Sequence, residues 1–410
     1  VVYVYAFDED GNYDYCETYV LVQQHDDCDG LGEGTISGVI ATEELEHLEG
    51  VEVQVNGGAA TATTGTDGAY SFSLPAGGDY TITPFLNADP LNGVSTFDLV
   101  LMSKHILATQ LLDSPYKLIA ADINNSQTIT TLDMIQLRKL ILNIETEFQS
   151  NTSWRFVPAD FDFPIPVNPW FTDFPELVNI NDLPLTDEVY ADFVAVKTGD
   201  VNGSAQANSM AGEERSFDGT VELAVEDIAM QAGNVYTVAV RGKDFAEVSG
   251  FQGTLQLKGA ALLDIEYSAD SFEGAQAEHF GWRFAEQGFL TMSWNKSADA
   301  KALVDEVLFS LVIRATEDQL LSEALNVNSR YTPAEAYLAG NTMELQLAFA
   351  LGEEEVADAG NYLYQNIPNP FQRETMISFQ LAEAAAVSLT INDAAGRVLK
   401  ECRSGGRRII

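Results

Sequence analysis

Cysteine, histidine and positive charge are all scarce in this chain. Its 410 residues include three cysteines (Cys16, Cys28, Cys402) and four histidines (His25, His47, His105, His279). No histidine falls in an H-E-x-x-H or other paired ligand spacing, which argues against zinc. Neither a G-x-S-x-G elbow, a phosphate-cradling glycine loop nor a dinucleotide glycine fingerprint occurs. Lys and Arg number 21 against 62 Asp and Glu, a net charge of −41. That balance excludes a generic electrostatic grip on nucleic acid or an anionic membrane. No apolar run approaches the roughly 18 residues of a membrane span, so insertion into a bilayer is not expected. With so many carboxylates an acid–base pair would arise by chance, and no catalytic residue is assigned; the chain does not read as an enzyme.

The cysteines leave their pairing open. Cys16 and Cys28 are close enough in sequence to bridge, yet Cys16 pairs equally well with a cysteine upstream of residue 1. Cys402 lies in the basic stretch CRSGGRR, which lowers a thiol pKa, but an incidental thiol is the simpler reading. Val1 falls inside a strand pattern, VVYVYAFDEDGNYDYCETYVLVQQ, with a turn at Asp10 to Asn12. The expectation is a piece of something longer.

What the chain does have is a repeat. TFDLVLMSKHIL from Thr96 and TLDMIQLRKLIL from Thr131 align without a gap at an offset of 131 − 96 = 35 residues. Apolar stripes of Phe97, Val100, Leu101, Ile106 and Leu107, and of Leu132, Ile135, Leu140 and Ile141, predict two helices packed on each other. Ahead of the second copy, Asp122, Asn124, Ser126, Thr128 and Asp133 take positions 1, 3, 5, 7 and 12 of an EF-hand-like loop. Side-chain oxygens, one backbone carbonyl and a closing carboxylate in that order suit Ca²⁺. Gln127 stands at position 6, where glycine is usual, which strains the turn. Ahead of the first copy, Leu91 occupies position 5 and leaves Asn87 and Asp89 without a partner. Farther on, Asp200, Asn202 and Ser204 repeat positions 1, 3 and 5, with Ala211 where a closing carboxylate would stand. The two defects are complementary. Either Asp200, Asn202 and Ser204 fold back onto Asp98 as a split site, or they form a plain Asx-turn.

The flanking segments are β-patterned. GTISGVI, GVEVQV, TDGAYSF and LPAGGDYTI over 34–84 alternate as strands with one buried face, and resemble carboxypeptidase regulatory-like sandwiches, which act as spacers. DINNSQTITTLDMIQLRKLIL resembles a type I dockerin, giving 85–208 as a calcium-binding module. Its aromatic, Pro-rich insertion SWRFVPADFDFPIPVNPWFTDFP suggests a loop laid over an apolar surface. From 216 to 351, TVELAVED, VYTVAVRG, GFQGTLQLKG, GFLTMSWN, EVLFSLVIRA and MELQLAFA come at sandwich spacing, and their order resembles a cohesin. Trp170 and Trp282 are read as core rather than sugar-stacking residues. Residues 1–24 look like the end of an Ig-like domain. Over 361–410, Gln365, Asn366, Pro368, Asn369, Pro370, Phe371, Thr375, Ile377, Phe379, Asp393, Gly396 and Arg397 resemble the C-terminal sorting domain read by the type IX secretion machinery of Bacteroidetes-type bacteria. That domain's final strands are missing here.

The fold class expected is mainly β: tandem β-sandwich domains with a small calcium-binding helical, dockerin-like module. The resemblances imply a secreted or surface-attached protein, adhesive or structural, with Ca²⁺ as its ion. Alternatives are the tail of a polysaccharide-degrading enzyme or a filament subunit. A dockerin–cohesin-like contact is expected within the chain or between chains. The connection from Ser204 to Ser216 is short, and an in-chain dock is favoured, with the aromatic insertion expected to cover the C-terminal sandwich.

Overall fold

The computed structural model describes residues 2–7, 13–18, 32–208, 217–242, 245–267, 277–296, 307–351, 362–363, 379–380, 387–392 and 397–404. At the start, β1 (Val2–Phe7) and β2 (Tyr13–Thr18) form the antiparallel hairpin that the alternation predicts. Cys28 lies outside the described residues, as do the sorting-domain residues from Gln365 to Ile377, Asp393 and Gly396. Near the end, Val387–Asn392 and Val398–Ser404 pair antiparallel, with Cys402 opposite Leu389.

The first sandwich is larger than 34–84. Strands β3 (Glu33–Thr42) and β6 (Ala69–Pro75) pair in one sheet, and β4 (Glu52–Val55), β5 (Ala60–Thr63) and β7 (Tyr80–Phe85) in another. The segment between Trp154 and Lys197 then adds to both. Strands β8 (Trp154–Pro158), β10 (Glu188–Tyr190) and β11 (Phe193–Lys197) join the first sheet, and β9 (Val178–Ile180) pairs with β7. Trp154, Phe156 and Phe193 share one core with Ile36, Ile40 and Val53.

The aromatic insertion therefore does not lie over the C-terminal sandwich as a loop, as its composition suggested. Phe161, Phe163, Trp170 and Phe174 pack beside the helices, and Tyr116, Phe161 and Phe174 each meet Phe163 edge-to-face with ring centroids 5.0–5.9 Å apart. The reason is the layering. Strands β8 and β11 turn Trp154, Phe156, Phe193 and Ala195 into the sandwich core, and Val157 and Val196 into the helical core behind it. A strand buried on both faces carries no alternation.

Helices α1 (Thr96–Ile106), α2 (Pro115–Ala121) and α3 (Thr131–Ile141) form the helical layer. Both repeat helices open on a capping box: Ser95 with Asp98, and Thr130 with Asp133. They pack together, but on Leu99, Met102, Leu137, Leu140 and Ile141. The expected stripes are half right. Leu132 and Ile135 are 50% and 41% exposed and Leu107 47%. His105 accepts the Leu112 N–H at 3.1 Å through Nδ1, a local packing role. Among the described residues, no helix is long and apolar enough to cross a membrane.

The C-terminal unit is one curled ten-stranded sheet around a single core that includes Phe251, Trp294 and Phe309. Six strands fall where the alternation placed them: β12 (Thr220–Asp227), β14 (Val235–Gly242), β15 (Val248–Leu257), β18 (Phe289–Asn295), β19 (Val307–Ala315) and β23 (Asn341–Leu351). The alternation did not mark β13 (Ala229–Met230), β16 (Ala260–Glu266), β17 (Phe280–Gly281), β20 (Gln319–Leu320), β21 (Leu325–Asn328) or β22 (Glu335–Leu338). Of these, β13 pairs with β20 outside the large sheet. Trp282, 38% exposed, is not core.

Candidate calcium loops and the helix–sandwich contact

The unbroken loop closes on its own carboxylates. Asp122 accepts the Ser126 N–H at 2.8 Å through Oδ1 and the Gln127 N–H at 2.7 Å through Oδ2. Asp133 accepts from Asn124 N–H (3.2 Å) and from Thr130 N–H (2.9 Å), so position 12 is tied both to position 3 and to the start of α3. Ser126 Oγ donates to the Thr128 carbonyl at 3.2 Å. Gln127 sits at φ +64°, the left-handed backbone that its position demands of a residue with a side chain. Asn124 Oδ1 is buried and has no hydrogen-bond partner. An orphaned amide oxygen costs about 1–3 kcal/mol unless something satisfies it. It belongs to the residue that would ligate from position 3.

The same bonding pattern recurs across two distant segments. Asp200 Oδ1 accepts the Ser204 N–H at 3.1 Å and its Oδ2 the Ala205 N–H at 2.7 Å, which reproduces the bonds Asp122 makes four and five residues on. Asp98 Oδ1 accepts the Val201 N–H at 2.9 Å, while its Oδ2 holds the Ser95 N–H at 2.8 Å. Asp98, Asp200, Asn202 and Ser204 are thus brought together, across 103 residues of chain in the case of Asp98 and Val201. Asn87 is not part of this group: its Oδ1 accepts from Ser153 N and Oγ.

One member escaped the sequence reading. Ser204 Oγ donates to the Gly93 carbonyl at 3.0 Å, as Ser126 does to Thr128. Gly93 is Thr128 shifted back by the repeat, 128 − 35 = 93, so its carbonyl stands at position 7 of the split loop. The offset alone would have found it.

Among the described residues, no three His, Cys, Asp or Glu side chains converge. Each loop instead offers two carboxylates with amide, hydroxyl and carbonyl oxygens, a hard oxygen set suited to Ca²⁺. In the split loop Asp98 is fully buried. Burial, and then Asp200, push its carboxyl well above the usual range; burial also raises Asp200, against the pull of its N–H partners. Lys197, buried beside them, donates to the Pro90 and Thr198 carbonyls at 3.0 and 2.9 Å, and burial holds its ammonium down to about 7.

These shifts fix a pH dependence for the calcium-free protein. A carboxyl raised in the folded state contributes stability that is complete below its unfolded value near 4 and is lost as pH rises through the folded value. Lys197 acts only above about pH 7. Lowering pH from 7 toward 4 should therefore raise the melting temperature in chelator relative to that with calcium, shrinking the calcium increment. Melting curves in both conditions at half-unit steps check this; an increment that grows as pH falls contradicts it.

The helices also meet the C-terminal sandwich. Thr96 N–H donates to Gln252 Oε1 at 2.7 Å, and Thr96 Oγ1 shares a 2.7 Å hydrogen bond with Ser293 Oγ. At the far end of α3, Thr332 Oγ1 and Thr291 Oγ1 donate to the Ile141 and Leu142 carbonyls, each at 2.7 Å. Arg138 Nη2 donates to Asn295 Oδ1. Phe97 lies 5.4 Å from the Tyr337 ring. Gly250 and Gly281 permit the approach: a Cβ on Gly281 would stand 2.6 Å from the Leu142 oxygen. The outcome is a polar sheet face at the exposure of a core, with Gln252 1% and Thr254, Thr291 and Ser293 0% accessible. The contact within the chain is present, although the insertion that argued for it lies elsewhere.

No known protein family matches the chain, and no curated protein matches it. Solved structures do. CaCohA2 of Clostridium acetobutylicum is 15% identical, with a TM-score of 0.26 over 32% of this chain and 87% of that one. The seventh ScaB type I cohesin of Pseudobacteroides cellulosolvens is 10% identical, with a TM-score of 0.23 over 33% and 96%. A non-cellulosomal cohesin of the archaeon Archaeoglobus fulgidus is 14% identical, with a TM-score of 0.22 over 33% and 94%. Likenesses at these values assign no family.

Proposed function

We propose that this chain is a non-catalytic structural part of a secreted or surface-attached protein, in which two Ca²⁺ ions stiffen a dockerin-like helical pair seated on a cohesin-like sandwich. Asp122, Asn124, Ser126, the Thr128 carbonyl and Asp133 hold one ion. Asp200, Asn202, Ser204, the Gly93 carbonyl and Asp98 hold the other. The observation that carries this reading is the repeated bonding pattern of the two loops, with Asn124 Oδ1 left unpaired. The ion's work is electrostatic: it offsets buried carboxylates and joins segments far apart in sequence.

In this reading the helical pair is a permanent neighbour of the sandwich, because the polar groups of the covered face are buried and bonded directly to the helices. Replacing Gln252 with leucine keeps the volume but orphans the Thr96 N–H and removes a donor to Glu335, whose Oε2 receives Gln252 Nε2 at 3.2 Å. The expected loss is about 2 kcal/mol of stability, from urea unfolding. A change under about 0.5 kcal/mol, typical of an exposed surface site, would mean the face is not covered in solution.

Export follows from the sorting-domain resemblance of 361–410. A passenger fused to that segment, completed with its final strands, should reach the outside of a cell with a type IX machinery. If it stays in the periplasm while an authentic sorting domain exports it, the secreted reading fails.

A further inference from the structure

The two loops sit at different distances from the helix–sandwich contact. The unbroken loop leads into α3, whose docked part runs from Arg138 to Leu142. Five residues of helix, about 8 Å, separate Asp133 from Arg138, and eight, about 12 Å, separate it from Ile141. The split loop leads into α1, which docks by its first residue. Asp98 holds the Ser95 N–H and lies 3.2 Å from the Ser95 hydroxyl, and Ser95 caps α1 directly ahead of Thr96. Tyr337 donates to Glu335 Oε2 at 2.8 Å, and the same oxygen receives Gln252 Nε2. Gln252 returns to α1 through the Thr96 N–H. A line of polar groups, Asp98, Ser95, Thr96, Gln252 and Glu335, thus joins the closing carboxylate of the split loop to the sandwich.

We propose that occupancy of the split loop, and not of the unbroken one, sets how firmly α1 is held on the C-terminal sandwich. The proposal rests on the calcium reading above and deepens it by giving the two ions different work. An ion on Asp98 fixes the carboxylate that orients Ser95, and Ser95 caps the turn whose first residue, Thr96, is docked on Gln252. Without the ion, Asp98 and Asp200 repel at close quarters in a buried setting, and the cap they share with α1 loosens first. The unbroken loop has no such link at its capped end; its ion orders the turn before α3 and leaves the docked half of that helix, from Arg138 on, untouched.

Asn202 and Asn124 hold the same position in the two loops, which makes Asn202→Ala and Asn124→Ala a matched pair that spares all four carboxylates. The full chain is compared at a calcium concentration that fills both loops of the parent. Hydrogen exchange is followed in peptides over 250–256 and 289–295, and bound ions are counted by native mass spectrometry. The parent should hold two ions and each variant one. Asn202→Ala should speed exchange in both sandwich peptides about tenfold, the size of an ordinary coupling between sites. Asn124→Ala should leave them protected and speed exchange only around 122–133. Gln252→Leu should keep both ions, while calcium no longer alters protection of the sandwich peptides. Equal effects of the two Asn variants, or a calcium response that survives in Gln252→Leu, overturn the proposal with the calcium reading intact. A parent that holds no ion overturns both.

Discussion

Stripping calcium from the full chain should lower its melting temperature by many degrees and make the loss fully reversible on adding the ion back. Each filled site stabilises the folded state by RT ln(1 + [L]/Kd), about 2.7 kcal/mol at a hundredfold excess over Kd. Two independent sites then give about 5 kcal/mol, a large share of the stability of an ordinary domain. Mg²⁺ should substitute poorly, since it prefers tight octahedral geometry and gives up its waters reluctantly, whereas loops of mixed oxygen donors suit the larger ion. Calorimetric melting in chelator, with calcium and with magnesium reads all three. An Asp133→Ala protein that responds to calcium as fully as the parent would remove the unbroken loop from the account.

Replacing Trp154 by alanine should cost about 3–5 kcal/mol, as for other large buried aromatics. Trp154 is 3% exposed and packs in the first sandwich core with Ile36 and Phe193, beyond the segment read as that sandwich. The insertion would then be part of the fold rather than an ornament on it. Urea unfolding of the variant decides: a loss below about 1 kcal/mol, as for a surface loop, contradicts the shared core.

Particular residues show what the sequence carried. The spacing from Asp122 to Asp133 was legible because all five residues lie in one short stretch. Asp98 and Asp200 were legible as complementary halves, since each has what the other lacks. Gly93 was not, because a backbone carbonyl leaves no mark in residue type. The repeat offset was the one signal for it. Six strands of the C-terminal sandwich were found from alternation, which says nothing of what covers the sheet. Gln252, Thr254, Thr291 and Ser293 are polar, and they are covered by helices more than a hundred residues away in sequence. Polarity reports what a side chain bonds to and not whether water supplies the bond. The run Trp154–Pro158 was not legible as a strand. All five residues are buried, so no period was present to read.

The repeat misled in one further way. Leu132 and Ile135 stand where Phe97 and Val100 stand on α1, since 97 + 35 = 132 and 100 + 35 = 135. The likeness suggested that both pairs line the helix–helix seam. On α1 that face meets the sandwich, where a Cβ on Gly250 would lie 3.2 Å from Val100 Cγ2. On α3 the equivalent face is exposed.

The central claim is that two Ca²⁺ ions bind, one in a loop assembled from both ends of the helical segment. Titrating calcium into the stripped full chain by isothermal calorimetry tests it most directly. The account predicts two ions per chain, falling to one in Asp200→Ala and to one in Asp122→Ala. A single ion unaffected by Asp200→Ala would contradict the split loop, and no binding at all would contradict the whole reading.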